Sequence, residues 1–480
     1  MRKIVVFLAG CMLLSACGGG RGSGELSEAD MSAFGTYVDS LDNNLQGKWF
    51  TRMGMTEDAD SLLAFLRREL PRDGLDTTAF FVPQIAEDMA VVNKLAFDSI
   101  GQSINEVLKR LDDHLTKAYV DYTTGQRYGF MRPDKVLNRL DYKVGGPGYA
   151  QLFDYEIKAP DFEEAEQKVT GSDRMAYLAA SQPQTYVYRA LKDQLAKTAD
   201  KAERAKIAIN MERCRWQIKH PEQQEKRVLV NIPAQHLWAV GGDSALDMRI
   251  CCGAYPTKTP LLHSTINYMQ VNPEWNIPFN IIKTDVAKHG GDSAYFARNR
   301  YSIVDRQSGD TLQASEVSKD RLLSGNMKVV QKGGSGNSLG RIVFRFPNNF
   351  SVYLHDTNNR GAFERERRTL SHGCVRVQKP FELACFLLQG ADEWTKDQIR
   401  ISMDIRPVTE RGREYVRNHA DAPRPLRLIS YRDVSPRVPV YIVYYTAYPN
   451  PSTGRVELWP DLYDFDKVIT KEIGPFLLKE

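Results

Sequence analysis

Ser371-His372-Gly373-Cys374-Val375-Arg376, with His355 nineteen residues ahead of the cysteine, is the stretch from which the rest of this chain can be read. A free cysteine has a pKa of roughly 8.5 and stays mostly thiol near neutrality unless an imidazole or a helix N-terminus stabilises the thiolate. His355 is placed to supply the imidazole. The preceding Phe350-Ser351-Val352-Tyr353-Leu354-His355 alternates, so Ser351, Tyr353 and His355 are expected on one face of a strand and Phe350, Val352 and Leu354 on the other. Gly373 permits a tight turn before Cys374, the run behind the cysteine is helix-like, and Pro380 to Leu388 looks like a helix opening soon afterwards. Backbone N–H groups on the Ser371, His372, Gly373 turn can face a developing oxyanion.

Other readings of these residue types have to be weighed. A cysteine in a folded domain is most often a small buried apolar residue, and Cys214 and Cys385 are read that way. Cys251 and Cys252 should point to opposite faces of a strand and pack there, in place of a strained vicinal disulfide. Consecutive strand residues diverge, so the Asp356 carboxylate should not reach the far nitrogen of His355, and a backbone carbonyl is the expected orienter. His372 either shapes the oxyanion pocket through its peptide or hydrogen-bonds a neighbouring loop through its ring. Arg376 either pairs with a substrate carboxylate or braces the cysteine loop. A zinc site at His355, His372 and Cys374 would need further ligands and an ordered second shell that the sequence does not indicate, so no metal is expected.

At these residues the chain resembles the L,D-transpeptidases of bacterial cell walls, whose signature is a histidine, a gap in the mid-teens, Ser/Thr-His-Gly-Cys, a hydrophobic residue, and Arg or Asn. Thr259-Pro260, Asn272-Pro273 with Trp275 and Pro278, Asn337 with Leu339-Gly340, Phe346-Pro347-Asn348, and Tyr353 to Thr357 with Phe363 and Arg368 resemble the larger, scaffold-bearing branch of that family. So do Leu115-Thr116-Lys117-Ala118 and Asn210-Met211-Glu212-Arg213-Cys214-Arg215-Trp216. The motif-matching Arg368, Tyr353 and Trp275 either line the cleft or pack around it. Many members of the branch insert a small peptidoglycan-binding module ahead of the second patch. Here Leu191 to Ala205 crosses that place as a charged, alanine-rich helical run, and the module is read as absent.

The resemblance implies a donor tetrapeptide stem of peptidoglycan, ending in a diamino acid followed by D-alanine. Cys374 would form a thioester with the diamino acid, His355 would manage the proton, and an amine of a neighbouring stem would resolve the thioester into a link between two third-position residues. No cofactor is required, and carbapenem-type lactams are expected to acylate Cys374. The motif does not specify the acceptor: water would make the protein a carboxypeptidase and a protein lysine would make it a lipoprotein-to-wall linker. A catalytically silent envelope-to-wall tether is the alternative of another class.

Arg2 and Lys3 precede an apolar run from Ile4 to Leu14 that is too short to span a bilayer, so residues 1–16 read as a signal peptide. Leu14-Ser15-Ala16-Cys17 resembles a lipobox, which implies lipidation of Cys17 and a periplasm-facing anchor, expected at the outer membrane. The net charge of +4 over 480 residues, about +2 without Arg2 and Lys3, is too mild to argue for nucleic acid. Of the seven cysteines, Cys11 leaves with the signal and Cys17 is lipidated; the remaining five are an odd number, so at least one thiol stays free.

The expected organisation is α+β. A flexible tether covers 17–44 and a mainly helical scaffold 45–222. Ile104, Leu108, Leu111 and Leu115 recur at helical spacing there, and Tyr186 to Trp216 is a long helical stretch. A β-rich catalytic domain is expected over 225–480, where Val228, Val230 and Ile232 alternate, Ile342, Phe344 and Phe346 mark a further strand, and Val440 to Tyr448 with Gly454 to Leu458 form a last pair. Inside it, residues 280–336 are a long excursion, expected to act as a mobile lid over the site.

Overall fold

The computed structural model describes Ser32, Thr36 and residues 48–51, 54–94, 96, 100–139, 152–242 and 244–478. The signal peptide, Cys17 and, apart from Ser32 and Thr36, the 17–44 tether lie outside the described residues. The chain divides into two compact units, one built on residues up to 126 with 160–182, the other on 127–159 with 183–478. Helices fill the first and a sheet system dominates the second, an α+β architecture.

In the first unit a small hairpin, β1 (Phe50–Thr51) with β2 (Gly54–Met55), leads into α1 (Glu57–Arg72), α2 (Val82–Lys94) and α3 (Ile104–Tyr128), and α4 (Phe162–Val169) with α5 (Arg174–Ala180) return to it. Glu57, Asp58 and Asp60 in the first turn of α1 suit the positive end of its dipole. The stripe read from the sequence is the buried one: Leu108, Leu111 and Leu115 are all fully buried, and cutting any one to alanine should cost about 2–5 kcal/mol. Buried Arg174 donates to Asp58 at 2.6 Å and stacks 4.8 Å from the Trp49 ring.

The stretch from Tyr186 to Trp216 is two helices, where the sequence reading had one run. α6 (Tyr186–Lys197) stops, and α7 (Lys201–Arg215) starts behind Asp200, whose carboxylate caps it by accepting from the Glu203 amide at 2.9 Å. α7 belongs to the second unit and is tied there by polar groups. Asn210 donates to Thr446 at 2.7 Å and accepts from the Thr446 amide at 3.0 Å. Arg213 donates to Asn210 at 2.8 Å and to Asp466 at 2.6 Å, and Thr446 completes the set by donating to Asp466 at 2.6 Å.

The main sheet is drawn from β3 (Phe153–Asp154), β4 (Arg227–Asn231), β5 (His236–Gly241), β6 (Ser244–Gly253) and β7 (Leu261–Val271). A separate group follows: β8 (Trp275–Asn276), β9 (Tyr301–Asp305), β10 (Thr311–Leu312) and β11 (Met327–Gln331), with α8 (Ser293–Arg298) between β8 and β9. The main sheet resumes with β12 (Ile342–Arg345), β13 (Leu354–His355), β14 (Thr369–Ser371), β15 (Val375–Val377) and, after α9 (Pro380–Leu387), β16 (Tyr431–Val443). The hydrogen-bonded path runs β12-β13-β15-β6-β5-β4-β16-β7, and β7 pairs again with β12, so the path closes on itself. Closure leaves no open edge along that ring. Its interior is one apolar cluster that includes Val228, Val230, Ile250, Ile266, Met269, Ile342, Phe344, Leu354, Val375 and Ile442, each worth about 1.5–3 kcal/mol when fully buried.

Two strand readings need correction. The run from Val440 to Tyr448 is split between the end of β16 and a separate hairpin, β17 (Ala447–Pro449) with β18 (Val456–Leu458), which precedes α10 (Phe465–Ile473). The strand ahead of His355 is only two residues long, because Ser351 takes φ +55°, a left-handed conformation that interrupts it. The excursion at 280–336 is a folded body: β10-β9-β11-β8 form their own sheet, and Ile282, Val286, Phe296, Ile303, Leu322 and Val329 form their own core.

Candidate active site

The parallel pairing of β13 with β15 sets Leu354 opposite Val375 and His355 opposite Arg376. Paired residues share a face and alternate residues return to it, so Tyr353 and His355 emerge on the same side of the sheet as Cys374 and Arg376. Val343 pairs with His355 across β12, which adds Val343 and Arg345 to that face. Cys374 packs against the buried group Leu339, Val343 and Tyr353. The structure therefore gathers His355, Tyr353, Arg376 and Cys374 on one face.

Cys374 stands at the end of a braced turn. Gly373 has φ +117°, a backbone conformation L side chains rarely adopt. Ser371 Oγ accepts from the Gly373 amide at 3.1 Å and donates to the Cys374 carbonyl at 2.5 Å. Thr259 donates to the Gly373 carbonyl at 2.8 Å, while Thr257 and the Ala254 amide both reach the Ser371 carbonyl at 2.9 Å. Ser371 is thus a brace, and the Gly373 N–H is spent on it; neither is the free oxyanion donor the sequence reading allowed. Among the described residues the Cys374 amide itself has no protein acceptor. The residues directly behind Cys374 are strand β15, not helix; the α9 helix opens only at Pro380.

His355 is buried, and its Nδ1 lies 2.5 Å from the Asp356 carbonyl. A proton on Nδ1 fits that contact and leaves the lone pair on Nε2. Burial, reinforced by the positive charge of Arg376, holds the imidazole down to about 3, against the pull of the Asp356 and Leu339 backbone. The ring is neutral at physiological pH. The Asp356 carboxylate is occupied elsewhere, accepting from the Arg341 amide and ion-paired with Arg360, both at 2.8 Å. Among the described residues no carboxylate completes a Cys-His-Asp triad, and the carbonyl takes the orienting role.

Burial pushes the Cys374 thiol up, while hydrogen bonding to Tyr353 and the charges of Arg345 and Arg376 pull the other way. The thiol's contact with the Ser351 carbonyl is long, 3.8 Å. The resting site is therefore a thiol beside a neutral imidazole, where the sequence reading had a thiolate stabilised by His355. Tyr353 is buried, its ring 5.6 Å from that of His355, and its hydroxyl is pushed well up by burial and by the Cys374 charge.

The remaining candidates separate cleanly. Arg368 is a brace: buried, it donates to the carbonyls of Ile250, Arg365 and Gln235 at 2.9–3.0 Å. The His372 ring leaves the turn, its Nε2 3.2 Å from Asp285 Oδ2 of the inserted body. Trp275 packs against both the core of that body and the Leu339, Val343, Tyr353 group. Arg376 Nε is buried without a hydrogen-bond partner. All five described cysteines are free thiols, with Cys251 and Cys252 buried in different apolar clusters as opposite faces require.

Sequence reasoning missed Arg345 and Asp285. Arg345 was detectable, since it shares the phase of Val343 and His355 and not that of Ile342 and Phe344. Nothing local marks Asp285.

Known proteins match both parts of the chain. Residues 225–401 match the L,D-transpeptidase catalytic domain and residues 42–195 match the Scaffold domain. A Haemophilus influenzae protein named "Putative L,D-transpeptidase" is 27% identical over 380 residues, which cover 76% of this chain and 72% of the relative.

Proposed function

The chain belongs to the L,D-transpeptidases, carrying their catalytic domain behind a scaffold domain, and from that premise we propose that it cross-links peptidoglycan stems through a thioester on Cys374. The observation that carries the reading is the convergence of a half-buried thiol and a neutral imidazole on adjacent strands, with the cysteine's own amide unengaged.

Cys374 Sγ attacks the carbonyl carbon of the third-position diamino acid as its proton passes to His355 Nε2. A standing thiolate–imidazolium pair is strongly uphill between a thiol pushed up and an imidazole held near 3, so proton transfer accompanies formation of the C–S bond. The carbonyl oxygen becomes an oxyanion within reach of the Cys374 N–H. The tetrahedral centre collapses, the D-alanine nitrogen leaves with the proton from His355, and a thioester remains. An amine of a second stem then adds, gives its proton to His355, and expels the sulfur, which recovers that proton. Cys374 and His355 are the catalytic pair. Arg376, Tyr353 and Trp275 shape the site around them.

The same reading extends to the envelope. Cys17 carries the lipid that holds the mature protein at a membrane facing the wall, the 280–336 body caps the site, and carbapenem-type lactams acylate Cys374. The deciding experiment gives the mature protein tetrapeptide muropeptides and identifies products by mass spectrometry, with Cys374→Ala as control. Free D-alanine with cross-linked dimers is the expected result. Tripeptide without dimers would make the enzyme a carboxypeptidase, and no turnover would overturn the catalytic reading.

A further inference from the structure

Arg345 lies on the site face of β12, half-buried, with its guanidinium carbon 4.3 Å from the centre of the Tyr353 ring. Its guanidinium makes a long 3.4 Å hydrogen bond to the Gln270 side chain. Among the described residues no carboxylate stands within ion-pair distance of it, in contrast to Arg213, Arg360 or Arg400. Its charge is felt by Tyr353, His355 and Cys374 alike. A guanidinium that is partly withdrawn from water, fixed by stacking and left without an anion is a binding group awaiting one.

We infer that Arg345 is a specificity-determining residue whose guanidinium pairs with a carboxylate of the donor peptide. This rests on the proposed transpeptidase reading. Two donor carboxylates have the right chemistry: one on the side chain of the third-position diamino acid, and the terminal one of the departing D-alanine. Replacing a carboxylate by its near-isosteric carboxamide removes the charge and preserves the shape, so the enzyme should discriminate between acid and amide forms of the same donor.

The full mature enzyme is assayed with three synthetic tetrapeptide donors: unmodified, amidated on the diamino acid, and amidated on the terminal D-alanine. For the carboxylate that Arg345 reads, amidation should lower kcat/KM of the wild type on the order of 10-fold, through KM more than kcat. Arg345→Gln should lose that preference and Arg345→Lys should keep part of it. Which amide is penalised identifies the carboxylate.

A second readout needs no turnover: the ratio of Cys374 alkylation rates by iodoacetate and by iodoacetamide, an acid and amide pair of minimal size. Arg345→Gln should lower that ratio several-fold, and a circular-dichroism melt matching that of the wild type shows that the variant is folded. Equal acceptance of all three donors by the wild type, or an alkylation ratio unmoved by Arg345→Gln, would overturn the assignment. Failure of the wild type to turn over even the unmodified donor would overturn the transpeptidase reading instead, and the alkylation ratio would still decide whether Arg345 draws carboxylates to the thiol.

Discussion

Helix α7 and the Cys374 face both take polar groups out of water, and the protein treats them in opposite ways. Around α7, Asn210, Arg213, Thr446 and Asp466 satisfy one another at 2.6–3.0 Å. On the Cys374 face the thiol reaches the Ser351 carbonyl only at a long 3.8 Å, Arg376 Nε has no hydrogen-bond partner among the described residues, and His355 keeps a nitrogen lone pair in reserve. A satisfied buried network returns its desolvation cost as rigidity, whereas an unsatisfied one holds groups ready for something that arrives from outside. One region holds the molecule together; the other is kept available for chemistry.

That contrast can be broken most forcefully from the reactive side. Cys374→Ala and His355→Ala should each lower turnover of a tetrapeptide donor on the order of 10⁴-fold or more, while Cys374→Ala shifts urea unfolding by less than about 1 kcal/mol. A large stability loss in Cys374→Ala would mean that the nucleophile is also a keystone of the fold. The converse cut is Asp466→Ala, which strands the Arg213 charge in the interior. It should destabilise by about 3–5 kcal/mol in urea titration, with Cys374 alkylation unchanged in the molecules that remain folded.

Glu212 sharpens the comparison, because it is the member of α7 closest to behaving like a site residue. It accepts from the Phe130 and Met131 amides and from the Trp216 indole, yet burial raises its carboxyl from 4.5 to about 7. The folded state thus retains a proton that the unfolded chain releases. Stability from this group is complete below pH 4.5 and is lost as pH rises through 7, by roughly 3 kcal/mol. Glu212→Gln should flatten that part of the urea stability profile between pH 4.5 and 7. The smallest effect concerns the thiol: the rate of Cys374 alkylation by iodoacetamide should rise with a midpoint above that of an ordinary cysteine. A midpoint below it would reinstate the resting thiolate.

How much of this could be read from the chain depends on whether the signal is local. Val228 to Ile232 and Ile342 to Phe346 announce β4 and β12 because burial on one face writes itself at period two. The return of β7 to β12 joins Met269 to Phe344, residues too far apart to leave a local trace. The Ser-His-Gly-Cys motif points to Cys374 and its upstream histidine. It says nothing of burial, and burial is what makes the thiol and the imidazole neutral. The break between α6 and α7 was legible and was missed, since Asp200 with Glu203 three residues on is a helix-start signature. Ser351 at positive φ was not legible, because no glycine or asparagine advertises it.

Trp275 has one side against the core of the inserted body and another against the group that walls Cys374. An indole shared in this way acts as a party wall. The insertion cannot be shortened, exchanged or repacked without remodelling the chamber next door, so variation in that body among engineered versions of this protein will register as altered substrate preference before it registers as altered stability.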